Sequence, residues 1–255
     1  MLFAVDIGNT TIQVGVFDGL SLRRAWKMKS DRERTCDEYS LLIFGFFRAA
    51  EMEAKKVDAG IISSVVPPLT PIFQTLCQQL FHVKPLVLGP GLKTGMPVLY
   101  ENPAEVGADR VAAAVAAYEK FGGPVIVVDL GTATTFDAVS AQGEYLGGAI
   151  APGVKISAEA LTRHTAKLPR VELSKPRRAI GRTTVASMHS GIYLGYIGLI
   201  NHLVAEIKKE LGGDAKVVAT GGFANWIAGD VPVINYVEPY LVLEGLRIIY
   251  ERNKG

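Results

Sequence analysis

The chain has 255 residues, of which 49% are hydrophobic and 20% are charged, so we expect a globular protein with a large core in one large or two ordinary domains. The formal net charge of +2 is too small to indicate nucleic acid as the main partner. Cys36 and Cys77 form no paired motif, so they predict neither a zinc site nor a disulfide framework and are typical of a reducing cytoplasm.

Alternating apolar residues predict that the chain opens with a β-meander followed by helices and further strands. The expected strands of the first half are 2–8, 12–19, 23–30, 57–66 and 85–89, and the expected helices are 37–53, 69–81 and 100–123. In the last helix, Asn102 is a candidate cap, Pro103 suits the first turn, and Glu105 lies three residues beyond the cap. Asp109 and Arg110 would then lie on its second turn.

The second half repeats this order. We expect strands at 125–130, 134–139, 144–150 and 215–222, and helices at 152–165, at 184–211 and from about residue 239. The repetition predicts a duplicated α/β fold with two similar halves around a central cleft, residues 1–118 and 119–255.

Residues 183–205 contain no Asp, Glu, Lys or Arg, and a helix of this length could span a bilayer. They also include His189, Asn201 and His202, so we expect a core or subunit-interface helix rather than a membrane span. Glycines at 191, 195 and 198 favour the interface. The N-terminal residues lack the basic region of a signal peptide.

Two similar turns carry the chemistry: DIGNTT at 6–11 and DLGTATT at 129–135. Each places an Asp at a strand end before a glycine and several hydroxyl side chains, which suits Mg²⁺ and a polyphosphate. Ordinary hairpins use the same residue types, so a single copy is weak evidence. The second copy places Asp129, Gly131, Thr132 and Thr134 in the corresponding frame, and two copies on facing halves predict a two-sided clamp that holds a phosphate chain. The glycine turn ATGGFAN at 219–225 suits an adenine and its ribose.

The segment YENPAEVGADR at 100–110 provides two candidate functional groups. Asp109 could accept a proton from a substrate hydroxyl, and Arg110 could bind a substrate carboxylate with a bidentate fork. A surface ion pair is the alternative interpretation of these neighbours.

The order and spacing of DIGNT, GADR and DLGTATT resemble the type III pantothenate kinases, which belong to the superfamily of actin, sugar kinases and heat-shock ATPases. The resemblance implies a ribonuclease-H-like (actin-like ATPase) fold. It also implies ATP-dependent phosphorylation of pantothenate to 4'-phosphopantothenate, the first step of coenzyme A biosynthesis, by a cytoplasmic homodimer.

Site residues follow from the same resemblance, position by position. Those implied to bind ATP are Asp6, Ile7, Gly8, Asn9, Thr10, Thr11, Ile12, Gln13 and Thr132. Those implied to bind pantothenate are Tyr100, Gly107, Ala108, Asp109, Arg110 and Thr184. Asp109 resembles the catalytic base, Asp129 the ligand of a K⁺ or NH₄⁺ ion, and Asp6 a group near the Mg²⁺ that accompanies ATP.

Three other functions stay open at this point. The chain could be another small-molecule kinase of the superfamily, a non-catalytic nucleotide-binding regulator, or a phosphohydrolase that transfers the phosphoryl group to water. They differ in whether ATP is consumed and which acceptor receives the phosphoryl group.

Overall fold

The computed structural model describes residues 1–254. Up to residue 121 it contains β1 (Leu2–Ile7), β2 (Thr11–Asp18), β3 (Ser21–Lys29), α1 (Cys36–Ala49), β4 (Ala59–Ser64), α2 (Thr70–Phe81), β5 (Leu86–Val87) and α3 (Ala108–Phe121). The rest contains β6 (Val125–Leu130), β7 (Ala133–Val139), β8 (Tyr145–Pro152), α4 (Val154–Arg163), α5 (Thr184–Glu210), β9 (Lys216–Thr220), α6 (Ala224–Ile227), β10 (Tyr236–Val237) and α7 (Leu241–Asn253). These elements form two compact units.

The first unit consists of Met1–Glu119 together with α7. Its sheet has the order β3-β2-β1-β4-β5, with β1 antiparallel to β2 and parallel to β4. Alternate residues of the strands face α1 and α2, as period-2 patterning requires. Phe3, Phe47 and Phe81 meet in this layer, and the ring centroids of Phe3 and Phe81 are 4.8 Å apart. The expected strands and the two helices thus meet in one apolar layer.

Helix α7 packs with the first unit, whereas the expected division placed residues 241–255 with the second half. The physical reason is that Leu243, Leu246 and Ile249 are fully buried on a helix that contacts β1, β2 and β4. Gly245 allows close approach to α3, because a Cβ there would collide with the backbone of Ala112. The other part of the boundary, expected after residue 118, lies after Glu119.

The second unit, Lys120–Tyr240, has the same topology. Its sheet order is β10-β9-β6-β7-β8, with β6 antiparallel to β7 and parallel to β9. One face of this sheet packs against α5 through Phe136, Tyr196 and Ile200. The duplicated α/β fold expected from the sequence is confirmed, since both units share one strand order.

Helix α5 covers the uncharged stretch and has one buried face, which includes Met188, Tyr193 and Val204. Thr183 caps it by accepting a hydrogen bond from the backbone N–H of Ala186 at 3.1 Å. None of the helices described for residues 1–254 combines the length and hydropathy needed to cross a lipid bilayer.

The start of α3 differs from the prediction. Asn102 caps a separate 3₁₀ turn, Pro103–Glu105, and its amide donates to Glu105 at 2.9 Å. Val106 then adopts an extended backbone with a buried side chain, which interrupts the helix, so α3 begins at Ala108. Asp109 therefore lies in the first turn of α3 and not in the second.

Candidate active site

The first loop joins β1 to β2 at the carboxyl end of β1. The backbone N–H of Gly8 donates to the carbonyl of Thr11 at 3.1 Å. A Cβ at Gly8 would lie 2.9 Å from that same carbonyl oxygen, so the tight turn favours glycine. Asp6, at the strand end, is opposite Gln13 in the β1–β2 ladder and Ser63 in the β1–β4 ladder.

The eight residues at 6–13 that are expected to bind ATP differ in their exposure to solvent. Ile7 and Ile12 are fully buried, so only their backbone groups could reach a ligand. Asn9, Thr10 and Thr11 are exposed at the tip of the loop, while the other three are partly buried. The loop thus presents one amide and two hydroxyl side chains to solvent, which are suitable partners for phosphate oxygens.

The loop and the segment that begins α3 lie at the same edge of the first sheet. Val65, directly after β4, donates its backbone N–H to the carbonyl of Ile7 at 3.0 Å. The Cγ1 atom of Val65 is 3.6 Å from the position that a Cβ on Gly107 would occupy. The structure therefore brings Gly107–Asp109 close to the end of β1.

Asp109 is held tightly against its own turn. Its Oδ1 accepts the backbone N–H of Arg110 at 2.8 Å and lies 2.5 Å from the position of a Cβ on Gly107. Its place in the first turn of α3 is where the helix dipole favours a negative charge. Arg110 and Ala108 are partly buried beside it, and Tyr100, eight residues before Ala108, is 36% exposed.

The second loop joins β6 to β7, and two glycines lie beside Asp129, one in this loop and one directly after β9. Oδ1 of Asp129 lies 3.4 Å from the position of a Cβ on Gly131, and a Cβ on Gly221 would collide with it. Gly221 has a φ of +93°, which favours glycine for a second reason. Phe223, after this glycine turn, donates to the carbonyl of Leu130 at 3.1 Å. The expected adenine turn therefore lies beside the loop of Asp129.

The second loop is one residue shorter than the first, and this corrects one sequence-based expectation. Gly131 donates to Ala133 at 3.1 Å, two residues ahead, whereas Gly8 donates three residues ahead. Thr134 consequently matches the buried Ile12 and not an exposed clamp residue. It is fully buried and hydrogen-bonds Tyr196, and burial raises the pKa of the Tyr196 phenol. Thr132 is exposed at the loop tip.

Thr184 lies in the first turn of α5 and lines a groove of about 540 Å³ between α4 and α5. The groove is mainly apolar, with Leu161, Ile192 and Leu199 among its lining residues. Gly191 and Gly195 also border it, and both are exposed with no atom within 4 Å of a Cβ.

A buried polar cluster on β7 and β8 is absent from the sequence-based predictions. Asp137 is 1% exposed and accepts two hydroxyl groups, from Tyr145 at 2.6 Å and from Thr135 at 2.9 Å. The signal in the sequence is Thr135-Phe136-Asp137, a polar residue on both sides of an apolar one, in a strand where Thr134 is the one other polar residue.

The carboxylates and hydroxyls at the two loops fit cations that bind oxygen ligands without a dedicated protein cage. Among residues 1–254, no group of three or more His, Cys, Asp or Glu side chains is arranged to hold a metal ion. Mg²⁺ usually keeps several waters and binds one or two carboxylates plus substrate phosphates, which matches a single aspartate at a strand end. Asp6 meets this requirement, and Asp129, flanked by threonines across its sheet, offers the hard oxygen ligands that an alkali cation needs.

Curated relatives resemble the chain over its whole length. A type III pantothenate kinase from Anaeromyxobacter sp. (strain K) is 53% identical over 254 residues and covers 100% of both chains. One from Geobacter sulfurreducens is also 53% identical over 254 residues, with the same coverage.

Solved structures share the fold at much lower identity. A Campylobacter jejuni protein described as a Baf family transcriptional activator aligns with a TM-score of 0.62 at 21% identity, covering 98% of both chains. Component A of the (R)-2-hydroxyglutaryl-CoA dehydratase of Acidaminococcus fermentans aligns with a TM-score of 0.53 at 12% identity, covering 99% of both. At such identities the likeness concerns the fold alone, which is the two-domain actin-like ATPase fold.

The sequence model of the type III pantothenate kinase family matches residues 2–206, which include both aspartate loops, the segment at 107–110 and most of α5. Together with the full-length relatives, this match shows that the chain belongs to the type III pantothenate kinase family.

Proposed function

We propose that this chain transfers the γ-phosphoryl group of ATP to the primary hydroxyl of pantothenate, giving 4'-phosphopantothenate and ADP. Family membership supports the substrate pair. The structural observation that supports the chemistry is the position of Asp109 at the sheet edge that also carries the first loop. In the reaction, the hydroxyl oxygen bonds to the γ-phosphorus, the bond from that phosphorus to the β-bridging oxygen breaks, and the hydroxyl proton passes to Asp109.

Asp109 and Arg110, which are neighbours on α3, have different roles toward pantothenate. Asp109 accepts the proton and orients the attacking oxygen, since the backbone of Arg110 fixes its carboxylate. The guanidinium of Arg110 binds the pantothenate carboxylate, because its planar fork matches two carboxylate oxygens. Tyr100, Gly107, Ala108 and Thr184 complete the proposed pantothenate contacts.

The two loops bind the nucleotide and its cations. Residues 6–13 contact the phosphates through the backbone around Gly8 and the exposed side chains of the tip, and Thr132 makes a contact from the second loop. Asp6 would hold Mg²⁺, and Asp129 would hold K⁺ or NH₄⁺. When bound, these cations neutralise charge on the phosphoryl oxygens during transfer.

We further propose a homodimer formed through α5 and a cytoplasmic location, where ATP is available and Cys36 and Cys77 stay reduced, as both are in the structure. The exposed glycine face and the apolar groove beside it support the interface. Gly195→Arg should give a monomer in sedimentation velocity, whereas Gly45→Arg, on an exposed part of α1, should leave the dimer intact. A monomeric native chain would contradict this assembly.

Product analysis tests the reaction itself. Purified protein is incubated with pantothenate, MgATP and either K⁺ or Na⁺, and the products are identified by mass spectrometry. We expect phosphopantothenate with K⁺ and much less with Na⁺. ADP with unchanged pantothenate would indicate a hydrolase or another acceptor, and no ATP consumption with either salt would indicate a regulator.

The base assignment needs its own variant. Asp109→Asn keeps the shape of the side chain and should lower kcat by about 10²–10⁴-fold, because a positioned general base contributes about that much. Nucleotide binding, measured by calorimetry, should stay within about twofold. The control is Glu105→Gln in the preceding 3₁₀ turn, which should retain activity. Equal loss of binding and turnover would contradict the assignment.

A further inference from the structure

We propose that Thr135 supplies a second oxygen ligand to the monovalent cation at Asp129, and that Asp137 and Tyr145 are positioning residues that aim its hydroxyl. This inference rests on the proposed function, because that function includes the cation at Asp129. It gives a specific role to Thr135, the last residue of the DLGTATT motif, and adds Asp137 and Tyr145, which neither the motifs nor the family resemblance identified.

Register places Thr135 next to Asp129. The two residues are direct partners in the antiparallel β6–β7 ladder. Side chains of direct partners share one face of a sheet, with Cβ atoms about 4.5–5.5 Å apart. On the other side of Asp129, its partner in the parallel β6–β9 ladder is Thr220. A threonine, the aspartate and a second threonine therefore form a row of oxygen-bearing side chains across three strands.

A hydrogen bond to Asp137 leaves the oxygen lone pairs of the Thr135 hydroxyl available to a cation. Its Oγ1 donates to Oδ2 of Asp137 at 2.9 Å, so the hydroxyl hydrogen points along β7, away from the row. Both lone pairs of Oγ1 are left as acceptors, and an acceptor oxygen is what a cation requires. Without this bond the hydroxyl would be free to donate to the nearby carboxylate of Asp129 and compete with the cation.

Asp137 is in turn fixed by Tyr145. The Tyr145 hydroxyl donates to Oδ1 of Asp137 at 2.6 Å, and the two residues are 0% and 1% exposed. Each carboxylate oxygen therefore accepts one hydroxyl in a place that solvent does not reach. A buried carboxylate with defined donors holds its geometry, and such outer groups fix the ligands of cation sites.

Four variants separate the ligand from its orienting partners. Thr135→Val removes the oxygen but keeps the shape, and Thr135→Ser keeps the oxygen. Asp137→Asn keeps the shape but turns an acceptor into an amide donor. If the amide oxygen stays with Tyr145, the NH₂ group donates to Oγ1 of Thr135 and redirects the hydroxyl hydrogen. Tyr145→Phe removes the hydroxyl that donates to Asp137.

Cation binding is measured in the absence of catalysis, from the rise in Tm on titration with KCl. NaCl keeps the ionic strength constant throughout the titration. For the native chain we expect a saturable, K⁺-specific rise. Asp137→Asn should raise the half-saturating K⁺ concentration by about 10–100-fold, the usual range for a disrupted outer partner of a metal site. Thr135→Val removes the ligand oxygen itself and should raise it by at least as much. Thr135→Ser should stay near the native value, and Tyr145→Phe should show a smaller increase. Thr75→Val, at an exposed position of α2, is the control and should change nothing.

The Tm in NaCl alone reports whether each variant is folded, so a loss of stability is not mistaken for a loss of K⁺ binding. An unchanged K⁺ titration for Thr135→Val would overturn the inference, as would a native chain without a K⁺-specific rise. The proposed function is judged separately, by whether phosphopantothenate forms. If Asp137→Asn fails to fold, Thr135→Val compared with Thr135→Ser still decides whether the oxygen is a ligand.

Discussion

Gly107 offers a sharp test of how closely the proposed base must be positioned. In Gly107→Ala, the new Cβ would lie 2.5 Å from Oδ1 of Asp109, whereas ordinary contacts begin at 3.4 Å. The carboxylate must therefore move by the difference, about 0.9 Å. That movement disturbs the 2.8 Å hydrogen bond from the backbone of Arg110, which holds the same oxygen. Misplacement of a catalytic group by about 1 Å can cost about 10²-fold in rate, so we expect kcat to fall by about two orders of magnitude.

The stability of Gly107→Ala should increase although its kcat falls. Gly107 is not among the residues with positive φ, so alanine can adopt its backbone conformation. Replacing glycine at such a position stabilises a protein by about 0.4–1 kcal/mol through the unfolded state. Steady-state kinetics and thermal unfolding should therefore show a slow enzyme with an undiminished Tm. Gly89→Ala, where no atom lies within 4 Å of the new Cβ, is the matched control and should keep native kcat. Native kcat in Gly107→Ala would refute the reasoning, because the base would then not depend on this contact.

Three further predictions concern stability, each measured by unfolding. Gly245→Ala should destabilise the chain by about 1–3 kcal/mol, because its Cβ overlaps the backbone of Ala112, while Gly45→Ala in α1 should not destabilise it. Thr35→Ala should cost about 1 kcal/mol, because Thr35 accepts from the N–H of Glu38 at 3.3 Å in the capping box of α1; Thr35→Ser should not. Hydrogen bonds from Lys175 and Tyr193 lower the pKa of Asp230 below its ordinary 3.8, so this carboxylate stabilises the fold above that pH and ceases to do so as pH falls through the lowered pKa. The Tm difference between the native chain and Asp230→Asn should therefore be constant near neutral pH and should decrease below about pH 4. A difference that does not depend on pH would contradict this.

The sequence predicts best where the signal is periodic or repeated. The succession of strands and helices along the chain follows from the apolar patterning, and the duplication follows from the two aspartate turns, whereas the order of strands within each sheet comes from the structure. Its errors arise where a local signal has two possible structures. Asn102, Pro103 and Glu105 satisfy a capping signature, but a single 3₁₀ turn also satisfies it, and the burial of Val106 decides between them. Elements of two or four residues, such as β10 and α6, are too short to show a period.

Two other differences depend on tertiary structure. The sequence of α7 shows an amphipathic helix but not which sheet it covers, and the backbone of Ala112 against Gly245 is a contact between distant segments. Side-chain direction in the second loop depends on loop length. In a strand, a shift by one residue moves a side chain to the opposite face, so the shorter loop turns Thr134 into the core.

The same one-residue difference separates the proposed roles of the two loops. The longer first loop has four residues, from Gly8 to Thr11, and exposes an amide and two hydroxyls at its tip. The second has three, from Gly131 to Ala133, and exposes only Thr132. Its remaining oxygens lie further along the strand, where Thr135 matches Gln13 of the first unit as the ladder partner of the aspartate. A turn with groups at its tip suits a phosphate chain, whereas a row of oxygens across the strands suits a bare cation. One topology, used twice with loops of different length, thus presents two different sets of side chains, one suited to phosphate in the first unit and one suited to a cation in the second.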